Sequence, residues 1–204
     1  MPLVKEIEIK ISEKDYLEGE LISEIRHEYI DGTIYAMAGA STKHNSICMN
    51  TSSSLFNGLK KRGSSCRVFS SDMKVKISDL IKSFFYPDVM IVCDFDNEED
   101  DYYQNSPIIV VEVLSQSTRK YDLTSKKLHY FNIPTLREYV VIEQGFCQVE
   151  VFRKSEDWRS TAYFLGDDIT FESIYIIVSI EDIYYQVTND DMAKFLIEQE
   201  NHSN

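Results

Sequence analysis

The chain has 204 residues, of which 43% are hydrophobic and 27% are charged, and its 34 acids and 21 bases give a formal net charge of −13. This composition can build a hydrophobic core, and it excludes a disordered, collagen-like or low-complexity protein. The surplus of acids argues against non-specific nucleic-acid binding, which needs clustered Lys and Arg, but it leaves room for a local basic face. No apolar run approaches the roughly 20 residues of a membrane helix, and the charged N-terminal segment is not a secretory signal. We therefore expect a cytoplasmic protein with no membrane partner.

The first half of the chain predicts a short helix, a hairpin, a long helix and two strands. Ser12 can cap the first helix, and Asp31-Gly32 between two alternating apolar runs predicts a two-residue hairpin turn. Gly63 follows a basic last turn and is expected to end the long helix. These elements are predicted over residues 12–17, 26–38, 41–62, 66–77 and 84–93, and Pro87 interrupts the last of them.

The second half predicts a mixed sheet flanked by helices. The run IIVVEVL is almost entirely apolar, which is typical of a central strand that is buried on both faces. Before it, residues 94–101 hold six acids and predict a solvated loop. The later elements are predicted as a helix over 118–131, a strand over 136–142, a hairpin over 148–153 and 160–165, a short helix over 179–185, and a polar tail over 189–204 with a helix over 192–198. The fold class is α/β with a mixed central sheet and a short C-terminal β extension, in one domain with a core over about 16–185.

The four cysteines predict no metal ribbon and no disulfide framework. They stand at positions 48, 66, 93 and 147, widely spaced and without a CxxC pair. We expect four free thiols, as is usual in a reducing cytosol.

Glu112 is a carboxylate in the middle of the buried strand. A buried charge without a partner is very costly, so a cation, a metal or a proton must compensate it. One alternative is a structural ion pair with a single Arg or Lys. The other, which we favour, is a functional carboxylate.

Asp88 follows Pro87 and begins the apolar run VMIV. Proline removes a ladder donor, so it marks a strand start or a bulge, where an acid can be directed at a site. Two acids on neighbouring strands suit a hard divalent cation that takes oxygen ligands. The alternative for Asp88 alone is a surface acid after a turn.

Lys126 lies in the predicted helix that follows Glu112. If this helix packs back on the sheet, Lys126 on its inner face can reach the carboxylates, whereas Lys127 points about 100° away because consecutive helical residues do not face the same way. A lysine beside two acids and a metal can orient a water molecule or stabilise a charged transition state. The alternative is a solvated helix surface.

Several segments occur in the order in which one known family has them. The chain contains HEYIDGTIYAMAGAS, SSDMKVKI, YPDVMIV and PIIVVEVLSQSTRKYDLTSKKLHYF, in that sequence. With these segments the chain resembles the Uma2-type endonucleases (DUF820) of the PD-(D/E)XK nuclease superfamily, over about residues 16–185. The resemblance implies a restriction-endonuclease-like core and a metal-dependent endonuclease that hydrolyses phosphodiester bonds in DNA.

The resemblance also implies roles for individual residues. Asp88 matches the aspartate of the PD half and Glu112 the acid of the (D/E)XK half. Leu114 stands where the superfamily has its lysine, which implies that the lysine has moved to Lys126 on the following helix. The full implied set consists of the catalytic residues Glu28, Asp88, Glu112 and Lys126, a Mg²⁺ or Mn²⁺ ion on Asp88, Glu112 and the backbone carbonyl of Val113, and His44 as a supporting residue or a helix cap.

Substrate and assembly follow from the same reading. Arg119, Lys120 and Lys127 are candidate phosphate contacts, with ordinary surface charge as the alternative. A homodimer is expected by analogy with nucleases that cut both strands. Two other functions stay open at this point: a non-catalytic nucleic-acid-binding or complex-forming protein on a nuclease fold, and a metal-dependent hydrolase of a smaller phosphoester.

Overall fold

The structure is a computed structural model that describes residues 10–93 and 101–202. The helices are α1 (Glu13–Glu20), α2 (Thr42–Arg62), α3 (Arg119–Tyr121, a π-helical turn Asp122–Lys126, and Lys127–Tyr130, running on as one helix), α4 (Ile180–Ile183) and α5 (Asp190–His202). The strands are β1 (His27–Ile30), β2 (Thr33–Ala36), β3 (Arg67–Ser70), β4 (Lys74–Lys76), β5 (Ser83–Phe85), β6 (Val89–Val92), β7 (Tyr103–Gln104), β8 (Pro107–Leu114), β9 (Glu138–Glu143), β10 (Gln148–Arg153), β11 (Ser160–Phe164), β12 (Asp168–Phe171) and β13 (Ile176–Ser179).

Two sheets form the body of the fold. One has the strand order β2-β1-β5-β4-β7, and the other has the order β11-β10-β9-β8-β6-β3. The second sheet is mixed, because β8 pairs in parallel with β9 and antiparallel with β6. The predicted α/β class with a mixed sheet is confirmed, and the predicted C-terminal hairpin is β10–β11, which extends this sheet.

Local signals place the N-terminal elements where the sequence predicts them. Ser12 and Ser41 accept hydrogen bonds from the first turns of α1 and α2, and Gly63 ends α2 in the left-handed region. Asp31 and Gly32 have φ values of 44° and 92°, as a two-residue turn between β1 and β2 requires. The prediction of the hairpin and the long helix is therefore confirmed.

Two predicted strands are each divided between the two sheets. Residues 66–77 form β3 and β4, because Ser71 has a φ of 50° and turns the chain between them. Residues 84–93 contribute to β5 and β6, because Pro87 interrupts the strand and cannot donate to a ladder. The prediction of one continuous strand over 66–77 is wrong, and the predicted interruption at Pro87 is a change of sheet.

The central strands of the six-stranded sheet, β6, β8 and β9, are buried on both faces. Helix α2 and the β12–β13 hairpin cover one face, where Ile47, Leu55 and Ile176 are buried against the strands. Helix α3 and the five-stranded sheet cover the other face, where Val110 and Tyr130 are buried. Because both faces of β8 are covered, its sequence is almost continuously apolar.

The cysteines differ from the prediction. Cys66 and Cys93 form a disulfide, with their Cα atoms 4.0 Å apart, whereas Cys48 and Cys147 are free and buried. The reason is the antiparallel register of β3 and β6, which pairs Arg67 with Val92 and so sets the two flanking cysteines side by side. Their separation of 27 residues in sequence hides this proximity.

The C-terminal part has more regular structure than the sequence predicts. The β12–β13 hairpin was not predicted, and α5 is longer than the predicted helix over 192–198. The predicted acidic loop over 94–101 lies, except for Asp101, outside the described residues. Within the described parts of the chain, no helix combines the length and the apolar character needed to cross a membrane.

Candidate active site

Four predicted site residues come from four different elements and meet between the two sheets. Glu28 lies on β1 of the five-stranded sheet, and Glu112 lies on β8 of the six-stranded sheet. Asp88 directly precedes β6, whose Val89 pairs with Val111 of β8, and Asp88 accepts a hydrogen bond from the backbone N–H of Val113, the residue after Glu112. Lys126 reaches the same place from α3.

Lys126 joins the two sheets through ion pairs. Its Nζ atom lies 2.7 Å from Glu28 Oε1 and 2.9 Å from Glu112 Oε1, and its side chain is 6% exposed. Burial lowers the pKa of Lys126, but the nearby carboxyl groups of Glu112 and Glu28 outweigh burial and raise it above its ordinary value. The lysine is therefore a fixed cation at neutral pH.

The π-helical turn of α3 determines which residues face the site. It buries both Asp122 and Lys126, and Lys126 Nζ lies 3.9 Å from Asp122 Oδ1. Lys127 points elsewhere, with its Nζ atom 4.3 Å from the centre of the Phe152 ring. The predicted contrast between the two adjacent lysines is seen in the structure.

Glu112 is held by two donors at one oxygen. The Tyr130 hydroxyl donates to Glu112 Oε1 over 2.7 Å, and Lys126 approaches the same atom. Burial, with the neighbouring acids Asp88 and Asp122, raises the pKa of Glu112 well above its usual range. A cation bound next to Glu112 would therefore stabilise the charged form of its carboxyl group.

Asp88 is held by the backbone of β8 and contacts α2. The Val113 N–H donates to Asp88 Oδ2 over 2.7 Å, and His44 Nε2 lies 3.2 Å from the same oxygen. Burial lowers the pKa of His44, but the hydrogen bond to Asp88 and the charge of Asp88, together with smaller contributions from the Val113 backbone and Asp122, outweigh burial and raise the pKa. On its other side, His44 Nδ1 lies 3.4 Å from Cys48 Sγ. His44 thus contacts a predicted site acid, and the N-cap of α2 is Ser41, not His44.

Three residues of the site were not predicted from the sequence: Asp122, Tyr130 and Cys48. Cys48 follows His44 by four residues in a predicted helix, and this spacing places two side chains on one face. The sequence therefore contains a signal that Cys48 lies next to His44. Asp122 and Tyr130 depend on the π-helical turn, for which the sequence has no comparable signal.

The donor set fits a divalent cation. The carboxyl groups of Glu28, Glu112 and Asp122 surround the buried ammonium group of Lys126, and the charge of a fourth acid, Asp88, acts on Glu112. Carboxylates and a backbone carbonyl are the hard oxygen ligands that Mg²⁺ and Mn²⁺ prefer. Asp88 and Glu112 are the residues that could hold such an ion.

The three candidate phosphate contacts differ in their surroundings. Arg119 forms an ion pair with Glu143, with 2.7 Å between Nε and Oε1, while half of its side chain stays exposed. Lys120 is exposed next to it on α3, and Lys127 is half-buried against Phe152. Arg119 and Lys120 can therefore reach a ligand from the surface more directly than Lys127 can.

Comparisons with known proteins give a consistent result. Residues 14–174 match the model of the Uma2 family, whose description is "Putative restriction endonuclease". Among similar sequences are two from Synechocystis sp.: the uncharacterized protein slr1290 is 32% identical and is matched over 92% of its length and 86% of this chain. The uncharacterized protein sll1609 is 35% identical, over 89% of its length and 78% of this chain.

A solved structure shares the fold. The crystal structure of a putative nuclease belonging to DUF820 from Anabaena variabilis superposes with a TM-score of 0.70, covering 87% of this chain and 99% of that one. The sequence identity is 18%, so the likeness concerns the fold. It confirms a restriction-endonuclease-like fold.

Proposed function

Because the chain belongs to the Uma2 family, we propose that it is a metal-dependent endonuclease that hydrolyses phosphodiester bonds in DNA. The observation that supports the proposal is the meeting of Glu28, Asp88, Glu112 and Lys126 in one buried site with more acids than bases. A degenerate, purely binding version of the fold would not be expected to keep all four. The same argument leads us to propose Mg²⁺ or Mn²⁺ as the cofactor.

The cation would be held by Asp88, Glu112 and the backbone carbonyl of Val113. When bound, Mg²⁺ or Mn²⁺ would lower the pKa of a water molecule and neutralise charge on the scissile phosphate. The Val113 N–H fixes Asp88, and the Tyr130 hydroxyl fixes Glu112, so both carboxyl groups have a set direction.

Lys126 supplies positive charge. Its raised pKa keeps it protonated, so it cannot remove a proton from water; instead it can orient the water molecule or share the charge that develops on the phosphate. Glu28 holds the lysine from the opposite sheet. His44 supports Asp88 and does not contact the substrate in this scheme.

Substrate binding would use the surface beside α3. Arg119, Lys120 and Lys127 are proposed phosphate contacts, and exposed Arg119 and Lys120 are the stronger candidates. Cutting both strands of a duplex would use a homodimer with one site per copy. DNA as the substrate agrees with a cytoplasmic location.

The test is cleavage of plasmid DNA with Mg²⁺ or Mn²⁺, and with EDTA. We expect EDTA to stop cleavage, and Asp88→Ala and Glu112→Ala each to slow it by several orders of magnitude, on the order of 10³-fold or more. Glu150→Gln is the matched control, because Glu150 lies on β10 and hydrogen-bonds Gln148, outside the site. If both alanine variants cut as fast as the control, the assignment of the site is wrong; if RNA is cut and DNA is not, the proposed substrate is wrong.

A further inference from the structure

A second group of side chains that could bind a metal ion shares Asp88 with the proposed nuclease site. Among the described residues, His44, Cys48 and Asp88 are the three whose donor atoms all lie within 4.8 Å of one another. His44 Nε2 is 3.2 Å from Asp88 Oδ2, and His44 Nδ1 is 3.4 Å from Cys48 Sγ. The cluster includes a thiol, which a nuclease site based on Mg²⁺ does not need.

The positions of the three residues follow from the secondary structure. His44 and Cys48 stand four residues apart on α2, so both side chains lie on one face of the helix. That face packs on the six-stranded sheet, with Ile47 and Cys48 in the core beside Val89 and Val113. Asp88 precedes Val89 and so meets the first turns of the helix. Two of the side chains therefore come from one helix, and the third comes from the bend that leads into β6.

The donor types select a different class of cation from Mg²⁺. One sulfur, one imidazole nitrogen and one carboxylate oxygen are typical ligands of Zn²⁺ and related cations, whereas Mg²⁺ binds oxygen. Three protein ligands leave the fourth position of a tetrahedral ion for water. Solvent can reach the group, because the side chains of His44 and Asp88 are each 16% exposed.

We propose that His44, Cys48 and Asp88 bind a divalent cation of the Zn²⁺ class. On binding, Cys48 gives up its thiol proton to solvent and coordinates the ion as a thiolate. One ring nitrogen of His44 coordinates the ion as well, so the ring gives up its present hydrogen-bond contacts with Cys48 and Asp88. Asp88 is shared with the proposed Mg²⁺ site, but the inference does not rest on nuclease activity.

The experiment is a titration of the full chain with Co²⁺, without reductant, so that the Cys66–Cys93 disulfide stays closed. A thiolate ligand gives a cobalt charge-transfer band in the near ultraviolet. We expect this band at one cobalt per chain, and we expect Zn²⁺ to displace it. No charge-transfer band in the wild type would overturn the proposal and would leave the three residues as a hydrogen-bond relay that positions Asp88.

Matched variants assign the ligands. Cys48→Ser should lose the band and bind Co²⁺ at least about 100-fold more weakly, since even residues that only support a ligand change affinity 10- to 100-fold. Cys147→Ser should keep the band, because Cys147 is also free and buried but contacts Asn189 at another place. A band that persists in Cys48→Ser and disappears in Cys147→Ser would overturn the assignment.

A second pair of variants covers the case in which Cys48→Ser does not fold, as judged by circular dichroism with EDTA. His44→Gln and Asp88→Asn keep the thiol and should weaken Co²⁺ binding about 10-fold or more while the residual band stays a thiolate band. Unchanged affinity in both variants would overturn the proposal. Because absorbance and not cleavage is measured, failure of this site is distinguishable from failure of the proposed nuclease.

Discussion

At the scale of single residues, the site depends on one buried lysine that balances several acids. Removing one partner of a buried ion pair leaves the other charge without compensation, which typically costs about 3–5 kcal/mol. Lys126 has two close partners, Glu28 and Glu112, so its loss affects both stability and chemistry.

The adjacent lysines provide a matched pair of substitutions. We expect Lys126→Met to abolish cleavage and to lower the free energy of unfolding by about 3 kcal/mol, because two buried carboxyl groups lose their cation. Lys127→Met should cost only about 0.5–1 kcal/mol, the value of its contact with the Phe152 ring. Single-turnover rates and thermal melts measure both effects. Equal rates for the two variants would exclude a specific role for Lys126.

Metal binding can be measured through stability without any substrate. With Mg²⁺ at about ten times its dissociation constant, the wild type should gain about 1.4 kcal/mol. For a chain of this size the melting temperature should rise by roughly 3–5 °C. Asp88→Asn should lose most of this rise, whereas Asp122→Asn should keep it, because Asp122 contacts Lys126 and is not a proposed ligand. Equal rises in wild type and Asp88→Asn would mean that Asp88 does not bind Mg²⁺.

Sequence reasoning finds the residues whose chemistry conflicts with their surroundings. Glu112 is predictable because a carboxylate in an apolar strand requires compensation. Cys48, Asp122 and Tyr130 have no such conflict: a thiol and a phenol are ordinary in a core, and an acid is ordinary on a helix. Their roles become visible only when distances between elements are known.

At the scale of elements, local signals predict where helices and strands lie but not which sheet a strand joins. Residues 66–77 read as one strand because their apolar residues alternate, yet β3 and β4 belong to different sheets. Pairing partners are distant in sequence, so no local pattern encodes them. No local pattern encodes the contact between α2 and β13 either. At this contact, Gly58 has no side chain, and Ile176 can therefore approach the helix closely.

A methyl group at Gly58 tests this contact. A Cβ atom there would lie 2.8 Å from Ile176 Cγ2, so Gly58→Ala forces the helix and hairpin apart. Overpacking costs about 1–3 kcal/mol and exceeds the roughly 1 kcal/mol by which alanine favours a helix. We expect a melting temperature about 2–4 °C below wild type.

Gly19→Ala is the control for this substitution. Gly19 also lies in a helix, α1, but nothing lies within 4 Å of its added Cβ atom, so this variant should melt at or above the wild-type temperature. If Gly58→Ala is as stable as Gly19→Ala, the close packing of α2 on β13 is not a constraint.

At the scale of the whole molecule, ion pairs between the two sheets and a disulfide within one of them hold distant parts of the chain together. Lys126 connects β1 with β8, and the disulfide connects the ends of β3 and β6. We propose that the chain folds as one domain on this basis. Composition alone predicts the hydrophobic core, but the disulfide could not be predicted because four widely spaced cysteines allow several pairings.

The disulfide has two measurable effects. Unfolded without reductant, the chain should have two titratable thiols, those of Cys48 and Cys147, and four after reduction. Cross-linking residues 27 apart removes loop entropy from the unfolded chain, worth about 3 kcal/mol. A Cys66→Ser/Cys93→Ser double variant should therefore melt roughly 6–12 °C lower. Four thiols without reduction would show that the bond does not form in solution.

The position of Asp88 has a consequence for motion. The chain leaves the five-stranded sheet at Phe85 and enters the six-stranded sheet at Val89, so Asp88 lies where the chain crosses from one sheet to the other. The ion pairs of Lys126 with Glu28 and Glu112 also connect the two sheets. We expect a ligand that competes for those carboxyl groups to weaken this connection, so that the β1–β2 hairpin opens more often from β8 while β1 stays paired with β5. Amide hydrogen exchange would register such opening as faster exchange in the hairpin while β8, buried on both faces, stays protected.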